Sequence, residues 1–207
     1  MKSGFRIPRF TLAALPLLLL TGCLLKTATV SPRHFVLSPI PANETASTTT
    51  GDLSIEIGFV KMPSYLLRNS MAIRNGANEI HYLEDALWAE RLDHCFQRTL
   101  AANLSRLLSA ETNQLANSVR GPREVRVFID VQQFDVDTRG HGTLVTHWRI
   151  TAPESDTPLK TGDARMTRTG ASPRANPQVI AMTLSDLAAE FSRELVPSIR
   201  ESERSEP

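Results

Sequence analysis

Cys23 is the residue whose type and setting most clearly indicate chemistry. It closes the run Leu20-Thr21-Gly22-Cys23, which has the form of a bacterial lipobox. The small residues at 21 and 22 let an extended chain enter a peptidase, and the sulfur of Cys23 can then accept a diacylglycerol. We therefore predict that Cys23 is acylated and forms the first residue of the mature chain.

The other candidate residues give little support to catalysis or to metal binding. The five histidines form no His-x₃-His or His-Glu-x₂-His pair, and His141 lies in a Gly-His-Gly turn where an exposed imidazole is expected. Glu84 and Asp85 could serve as acid and base, but adjacent carboxylates at a helix start also stabilise the helix dipole. Cys95, next to Phe96, is expected to be a small core residue. We predict no enzyme activity, no metal and no cofactor.

The residues before Cys23 have the composition of a signal peptide. Lys2, Arg6 and Arg9 precede an apolar run over residues 10–20, which is short of the roughly 20 apolar residues that span a bilayer. Cleavage elsewhere, or retention as a membrane anchor, are the alternatives. Because Leu24 rather than aspartate follows the cysteine, we expect attachment to the outer membrane, on its periplasmic side.

The composition limits the classes of partner. The full chain of 207 residues has a formal net charge of +1, and loss of residues 1–22 removes three cations and no anions, which leaves −2. Such a balance is not typical of nucleic-acid binding. A chain of this length fits one domain with a substantial core.

Alternating apolar and polar residues predict most of the strands. Residues 53–59 have the period of two that is typical of a half-buried strand. Asn75-Gly76, between apolar residues 71–74 and 79–82, predicts a hairpin. Further strands are predicted over residues 34–37, 125–132, 143–151 and 160–169. Residues 110–122 have the composition of a polar loop.

Spacings of three and four predict two long helices. One covers residues 85–109, with Asp85 as N-cap and Trp88 on its apolar side. The other opens at Pro177 and ends at Pro197. The fold class is therefore α+β: a single domain whose mostly antiparallel or mixed sheet carries both helices on one face. We expect a signal peptide at 1–22, an acylated N-terminus and tether at 23–34, the domain at 35–200, and a flexible tail at 201–207.

Residues 60–108 resemble the PqiC/YmbA-type family of auxiliary lipoproteins of ABC-type intermembrane transport systems. The matching runs are Pro63-Ser64-Tyr65-Leu66, Ile73-Arg74, Trp88-Ala89-Glu90 and Asn103-Leu104. Two runs differ from the family pattern, because Leu67-Arg68-Asn69-Ser70 replaces Asp-Arg-Pro-Gln and Arg91 replaces a proline. These differences affect loop contacts and partner choice more than the fold.

The resemblance implies a non-catalytic component that docks an MCE-type periplasmic protein, beside an inner-membrane transport component, during transport of lipid or organic solvent. Ring assembly into a homo-oligomer is a further expectation from the family. Candidate partner contacts are Tyr65, Leu66, Arg68, Arg74 and Trp88. Alternatively, the apolar side chains of this region fold onto the sheet and make no contact with a partner. A lipid-binding carrier, which would need an apolar cavity of several hundred Å³, and an envelope hydrolase are the competing functions.

Overall fold

A computed structural model describes residues 31–42, 53–108, 111–113, 123–153, 155–174 and 176–204. The predictions for the signal peptide, for Cys23 and for most of the tether therefore lie outside the described residues. From Pro32 onward these residues belong to one compact unit. In this part of the chain, eight strands form one mixed sheet with two long α-helices, which confirms the predicted α+β single domain.

The strands and helices follow one another along the chain in a simple order. The strands are β1 (Arg33–Phe35), β2 (Leu53–Lys61), β3 (Ser70–Asn75), β4 (Glu79–Trp88), β5 (Glu111–Asn113), β6 (Arg123–Asp137), β7 (His141–Thr151) and β8 (Pro158–Thr169). The helices are α1 (Leu92–Leu108), which follows β4, and α2 (Gln178–Arg204), which follows β8. A short 3-10 turn, Ser64–Leu66, joins β2 to β3.

Strand β6 organises the sheet because it pairs along both of its edges. On one edge β7 runs antiparallel to it, and β8 then pairs with β7. The strands predicted over residues 125–132, 143–151 and 160–169 thus form a three-strand meander. On the other edge β2 and β3 lie one after the other, both parallel to β6. The two outer strands on this edge are β1, which pairs with β4, and β5, which pairs with β2. The strand β5 corrects the loop prediction for 110–122, since its backbone groups pair with β2.

The predicted hairpin is present between β3 and β4, which pair antiparallel. Its turn contains Gly76 at φ 68°, a backbone conformation that glycine adopts without steric cost. The predicted helix start, in contrast, is wrong. Residues 85–88 belong to β4, and Ala86 and Trp88 pair with β1, so α1 begins only at Leu92. Tertiary pairing with two strands outweighs the helical spacing of Trp88.

The predicted end of the second helix is also wrong. Helix α2 continues through Pro197 to Arg204. Proline removes one backbone N–H donor from a helix, but Ile199 beyond it is completely buried and gains the free energy of apolar burial. Ser202 is buried as well, and its hydroxyl donates to the carbonyl of Ser198 at 2.9 Å. Residues 201–204 are therefore helical, while residues 205–207 lie outside the described part.

The core lies between the helices and one face of the sheet. Phe96 of α1 packs edge-on against Phe134 of β6 at 5.0 Å between ring centroids, and stacks near Phe191 of α2 at 6.3 Å. The opposite face, which we call the open face, carries mostly exposed or half-exposed side chains, although Asp135 on it is buried. It includes Glu56, Arg126, Phe128, His147 and Arg149.

Candidate functional site

The N-terminal strap, residues 36–41, is held by side chains of both helices. The backbone N–H of Leu37 donates to Sγ of Cys95 at 3.1 Å, and that of Ser38 donates to Oγ of Ser185 at 2.9 Å. The N–H of Ile40 donates to Oδ1 of Asn103 at 2.8 Å. Side chains thus satisfy three backbone donors of a segment that has no strand partner for them.

Asn103 is the residue that connects the strap to both helices. It is completely buried on α1, and its amide nitrogen donates to Oγ of Ser192 on α2 at 3.0 Å. The hydroxyl of Ser192 donates onward to the carbonyl of Ala188 at 2.6 Å. The role of Asn103 was not predicted, although a buried asparagine on an apolar helix stripe is the signal that could have revealed it.

Cys95 is a core residue, as predicted. It is completely buried at the contact between α1 and the strap. Burial raises the pKa of its thiol, although the N–H of Leu37 acts in the opposite direction. A buried thiol with a raised pKa contains little thiolate at neutral pH, so Cys95 is unsuited to nucleophilic chemistry.

Three residues from separate elements form a charged cluster on the open face. The phenol of Tyr65 donates to Oδ2 of Asp135 at 2.7 Å, and Nη2 of Arg74 lies 2.6 Å from the same oxygen. Nε of Arg74 also bonds Asp135 at 3.0–3.1 Å, which makes the pair bidentate. The amide of Gln133 also donates to Oδ1 of Asp135, at 2.9 Å. Asp135 is only 2% exposed, so these three donors cover its charge. The cluster fixes the 3-10 turn and β3 onto β6.

The protonation of this cluster follows from its geometry. Burial, and then the hydrogen bond to Asp135, raise the pKa of Tyr65 well above its ordinary value of about 10. The hydrogen bond to Asp135 raises the pKa of Arg74 further. Tyr65 is therefore a neutral donor and Arg74 a permanent cation, which gives the cluster a structural role.

The five predicted contact residues have different positions. Leu66 and Trp88 lie in the core, at 3% and 4% exposure. Tyr65 and Arg74 are half-buried in the charged cluster, and Arg68 is exposed, with its guanidinium 4.6 Å from the centroid of the Tyr82 ring. The phenol of Tyr82 in turn donates to the carbonyl of Tyr65 at 3.1 Å. A contact with a partner stays a prediction for Tyr65, Arg68 and Arg74.

A second feature of the open face is an aromatic patch formed by Phe59, Phe128 and Arg149. Phe59 is 82% exposed, and the guanidinium of Arg149 lies 4.4 Å from the centroid of the Phe128 ring. Together with neighbouring residues of β2, β6 and β7 they line a depression of about 350 Å³.

The exposure of Phe59 results from a bulge in β2. The strand pattern places Phe59 on the apolar side with Ile55 and Ile57, but the pairing with β6 shifts between Ile57 and Val60. Val60 then takes the buried position, and Phe59 turns to the open face. The glycine at position 58, inside a strand, is the sequence signal for such a bulge.

Across the described residues, no three histidine, cysteine, aspartate or glutamate side chains are placed to hold a metal ion. His141, the first residue of β7, is exposed, as predicted, with Nδ1 3.2 Å from Oδ2 of Asp137. Within the same residues, neither helix is both long and apolar enough to cross a membrane.

A family model for the ABC-type transport auxiliary lipoprotein component matches residues 35–196. The chain belongs to this family. No curated protein matches it. Among solved structures, an uncharacterized protein is similar over 82% of this chain and 99% of its own, with a TM-score of 0.64 and 16% identity. Protein XCC0632 from Xanthomonas campestris is similar over 80% of this chain and 91% of its own, with a TM-score of 0.57 and 14% identity. At these identities the two structures support the fold alone.

Membership of the auxiliary lipoprotein family gives the chain a membrane-anchored place in the cell envelope and an auxiliary role associated with transport. The matched region begins at Phe35, next to the strap, and ends within α2. It therefore contains the strap, the charged cluster and the aromatic patch.

Proposed function

We propose that this auxiliary lipoprotein is anchored through Cys23 to the periplasmic side of the outer membrane and docks an MCE-type periplasmic protein. The system, completed by an inner-membrane component, would carry lipid or organic solvent between membranes. Family membership supports a role beside a transporter. The residue after the cysteine, Leu24, supports outer-membrane placement.

The observation that carries the docking proposal is the exposure of Phe59. An 82% exposed phenylalanine keeps a large apolar surface in water, and here it lies beside a second aromatic ring and an arginine. Aromatic and arginine side chains are the types enriched where interfaces bind most strongly. The described residues contain no acidic partner for Arg149 within salt-bridge distance, so its charge is available to a carboxylate of the partner.

The charged cluster belongs to the same proposed surface. In the pairing of β6 with β7, Phe128 lies opposite Arg149 and Asp135 lies opposite Thr143. Arg149 and Thr143 are an even number of positions apart in β7. Side chains alternate between faces, so Phe128 and Asp135 share the open face. They are separated by roughly 20 Å at about 3.3 Å per residue. A surface of this length fits a specific interface of about 1,000 Å² or more.

Within this surface the two features have different tasks. The aromatic patch supplies apolar contact, whereas the charged cluster holds Tyr65 and Arg74 in fixed positions at the other end. Arg68 stands beside the cluster, stacked on Tyr82, and presents an exposed cation. Rigid side chains lose little conformational entropy on binding, which favours their use as contacts.

Size-exclusion chromatography with light scattering tests the proposal. The chain from Leu24 onward is mixed with the periplasmic part of an MCE-type protein from the same organism, and the mass of each protein alone and of the mixture is measured. We expect one complex with a defined stoichiometry. Separate elution of both proteins at tens of micromolar would reject docking as the function.

A further inference from the structure

A groove of about 630 Å³ lies between the N-terminal strap and the outer side of α2. Its volume is within the roughly 300–1,000 Å³ of sites for small molecules. Val36 of the strap and Met182 of α2 stand at its mouth, 45% and 58% exposed. Both residues line the groove, so it exposes apolar surface that water solvates poorly.

Part of the groove lining consists of small residues of α2, and the one hydroxyl among them is already bonded. Ala181, Ser185 and Ala189 are buried small residues that follow one another along α2. The hydroxyl of Ser185 accepts from the N–H of Ser38 and donates to the carbonyl of Ala181. These small residues, with Pro39 and Ile40 of the strap, form the apolar part of the lining, whereas side chains such as Gln178 and Arg193 form its polar part.

The strap is poorly suited to bind a peptide. An extended peptide adds to a strand through free backbone donors and acceptors. The N–H groups of Leu37, Ser38 and Ile40 are bonded to helix side chains, and Pro39 and Pro41 have none. An occupant that needs no hydrogen bonds, such as a hydrocarbon chain, fits this wall of the groove better.

Charges at one side of the groove indicate which end of a lipid would lie there. Arg168 of β8 extends between Asp186 and Glu190 of α2, at 3.6 and 3.8 Å. Both distances exceed those of direct hydrogen bonds, and all three side chains are about half exposed. A cation next to carboxylates matches the phosphate and the ammonium of a zwitterionic headgroup.

We infer that this groove binds an acyl chain of a zwitterionic phospholipid, with its phosphate beside Arg168. The inference rests on the proposed function, because that function includes lipid among the transported molecules. Nine residue steps separate Cys23 from Pro32, and at about 3.3–3.6 Å per residue they reach at most roughly 32 Å. An acylated Cys23 would therefore limit how far the domain can move from the bilayer.

Photo-crosslinking tests the inference in the absence of any partner protein. The full-length acylated chain is placed in nanodiscs that contain phosphatidylethanolamine with a diazirine near the end of one acyl chain. After illumination, labelled peptides are mapped by mass spectrometry. We expect labels on residues 34–41 and on α2 near Met182. Labels confined to other segments would overturn the assignment of the site.

Substitutions make the test specific. Met182→Glu should lower labelling of the groove roughly tenfold, because a carboxylate in an apolar site disfavours hydrocarbon. Val36→Glu, on the opposite wall, should do the same, which guards against a folding defect in either variant. Leu159→Glu places the same charge at an exposed apolar position of β8 away from the groove, and labelling should remain. Equal labelling in all three variants would contradict the inference.

A second lipid tests the headgroup. The same photoreactive chain on phosphatidylglycerol lacks the ammonium group, so it should label the groove less than phosphatidylethanolamine does. Equal labelling by the two lipids would overturn the assignment of a zwitterionic headgroup. Because the nanodiscs contain no MCE-type protein, failure of this experiment is separate from failure of docking, which is measured without lipid.

Discussion

The guanidinium of Arg149 lies 4.4 Å from the centroid of the Phe128 ring, on the face of the sheet opposite the helices. The two residues are direct neighbours across the pair of β6 and β7. At an exposed site such a cation–π contact contributes about 0.5–1 kcal/mol. Its main consequence here is positional, because it holds a ring and a charge at a fixed place beside Phe59.

The position of the Phe128 ring depends on Gly58. A Cβ atom added at residue 58 would lie 2.9 Å from Cδ1 of Phe128, so Gly58→Ala must displace the ring. We expect this variant to bind the periplasmic partner more weakly, with a change in the free energy of unfolding smaller than the loss in binding. Isothermal titration and urea denaturation measure the two quantities. Unchanged affinity would show that the ring position is unimportant for docking. Gly76→Ala, at a φ of 68° with open space around it, is the control for backbone strain alone.

Asn103→Ala should destabilise the fold. The substitution leaves the N–H of Ile40 without its acceptor and Oγ of Ser192 without its donor, and an unsatisfied buried group costs about 1–3 kcal/mol. Urea denaturation followed by circular dichroism gives the change in the free energy of unfolding. Asn78→Ala, at an exposed turn position, should have little effect. Similar stability of the two variants would contradict the role assigned to Asn103.

Cys95 should react with thiol reagents only after unfolding. Its side chain is buried and burial raises its pKa, so both access and thiolate content are low at pH 8. In the chain from Leu24 onward it is the sole cysteine, and absorbance after addition of Ellman's reagent reports on it alone. We expect slow reaction in buffer and rapid reaction in about 6 M guanidinium, which unfolds even very stable domains. Fast reaction in buffer would mean that the strap opens readily.

Tyr65 should make stability depend on pH in the alkaline range. Because its pKa is raised in the folded protein, its contribution is fully present below about pH 10, the pKa of the unfolded side chain, and is lost as the pH rises further. The Tyr65→Phe variant cannot ionise at this position. Between roughly pH 9 and 11, a range around the pKa of an unfolded tyrosine, its free energy of unfolding should therefore fall less than that of the wild type. Parallel pH profiles for the two proteins would contradict the assignment.

Local patterns predicted the main elements correctly. The alternation in β2, the Asn75-Gly76 turn, the three-strand meander and the apolar stripe of α2 all depend on neighbours in the sequence. The α+β class followed from their order. The family motif also has a physical explanation, since its tyrosine and arginine, Tyr65 and Arg74, meet on Asp135.

The errors arose where distant contacts decide the structure. Trp88 has the spacing of a helix stripe but lies in β4, because β1 and β3 both pair there. Helix α2 passes Pro197 because Ile199 is buried beyond it. A bulge in β2 moves Phe59 from the predicted apolar side to the open face. The first two outcomes cannot be obtained from a window of neighbouring residues, whereas Gly58 inside the strand is a local signal for the bulge.

The most direct test of the docking proposal is the affinity of a Phe59→Glu variant for the periplasmic MCE-type partner. Since Phe59 is 82% exposed, the variant should fold with unchanged stability, while its affinity should fall at least roughly tenfold, the loss expected at an interface hot spot. Leu159→Glu, which introduces the same charge three strands away, should bind like the wild type. If Phe59→Glu binds the partner as tightly as the wild type, the open face is not the docking surface.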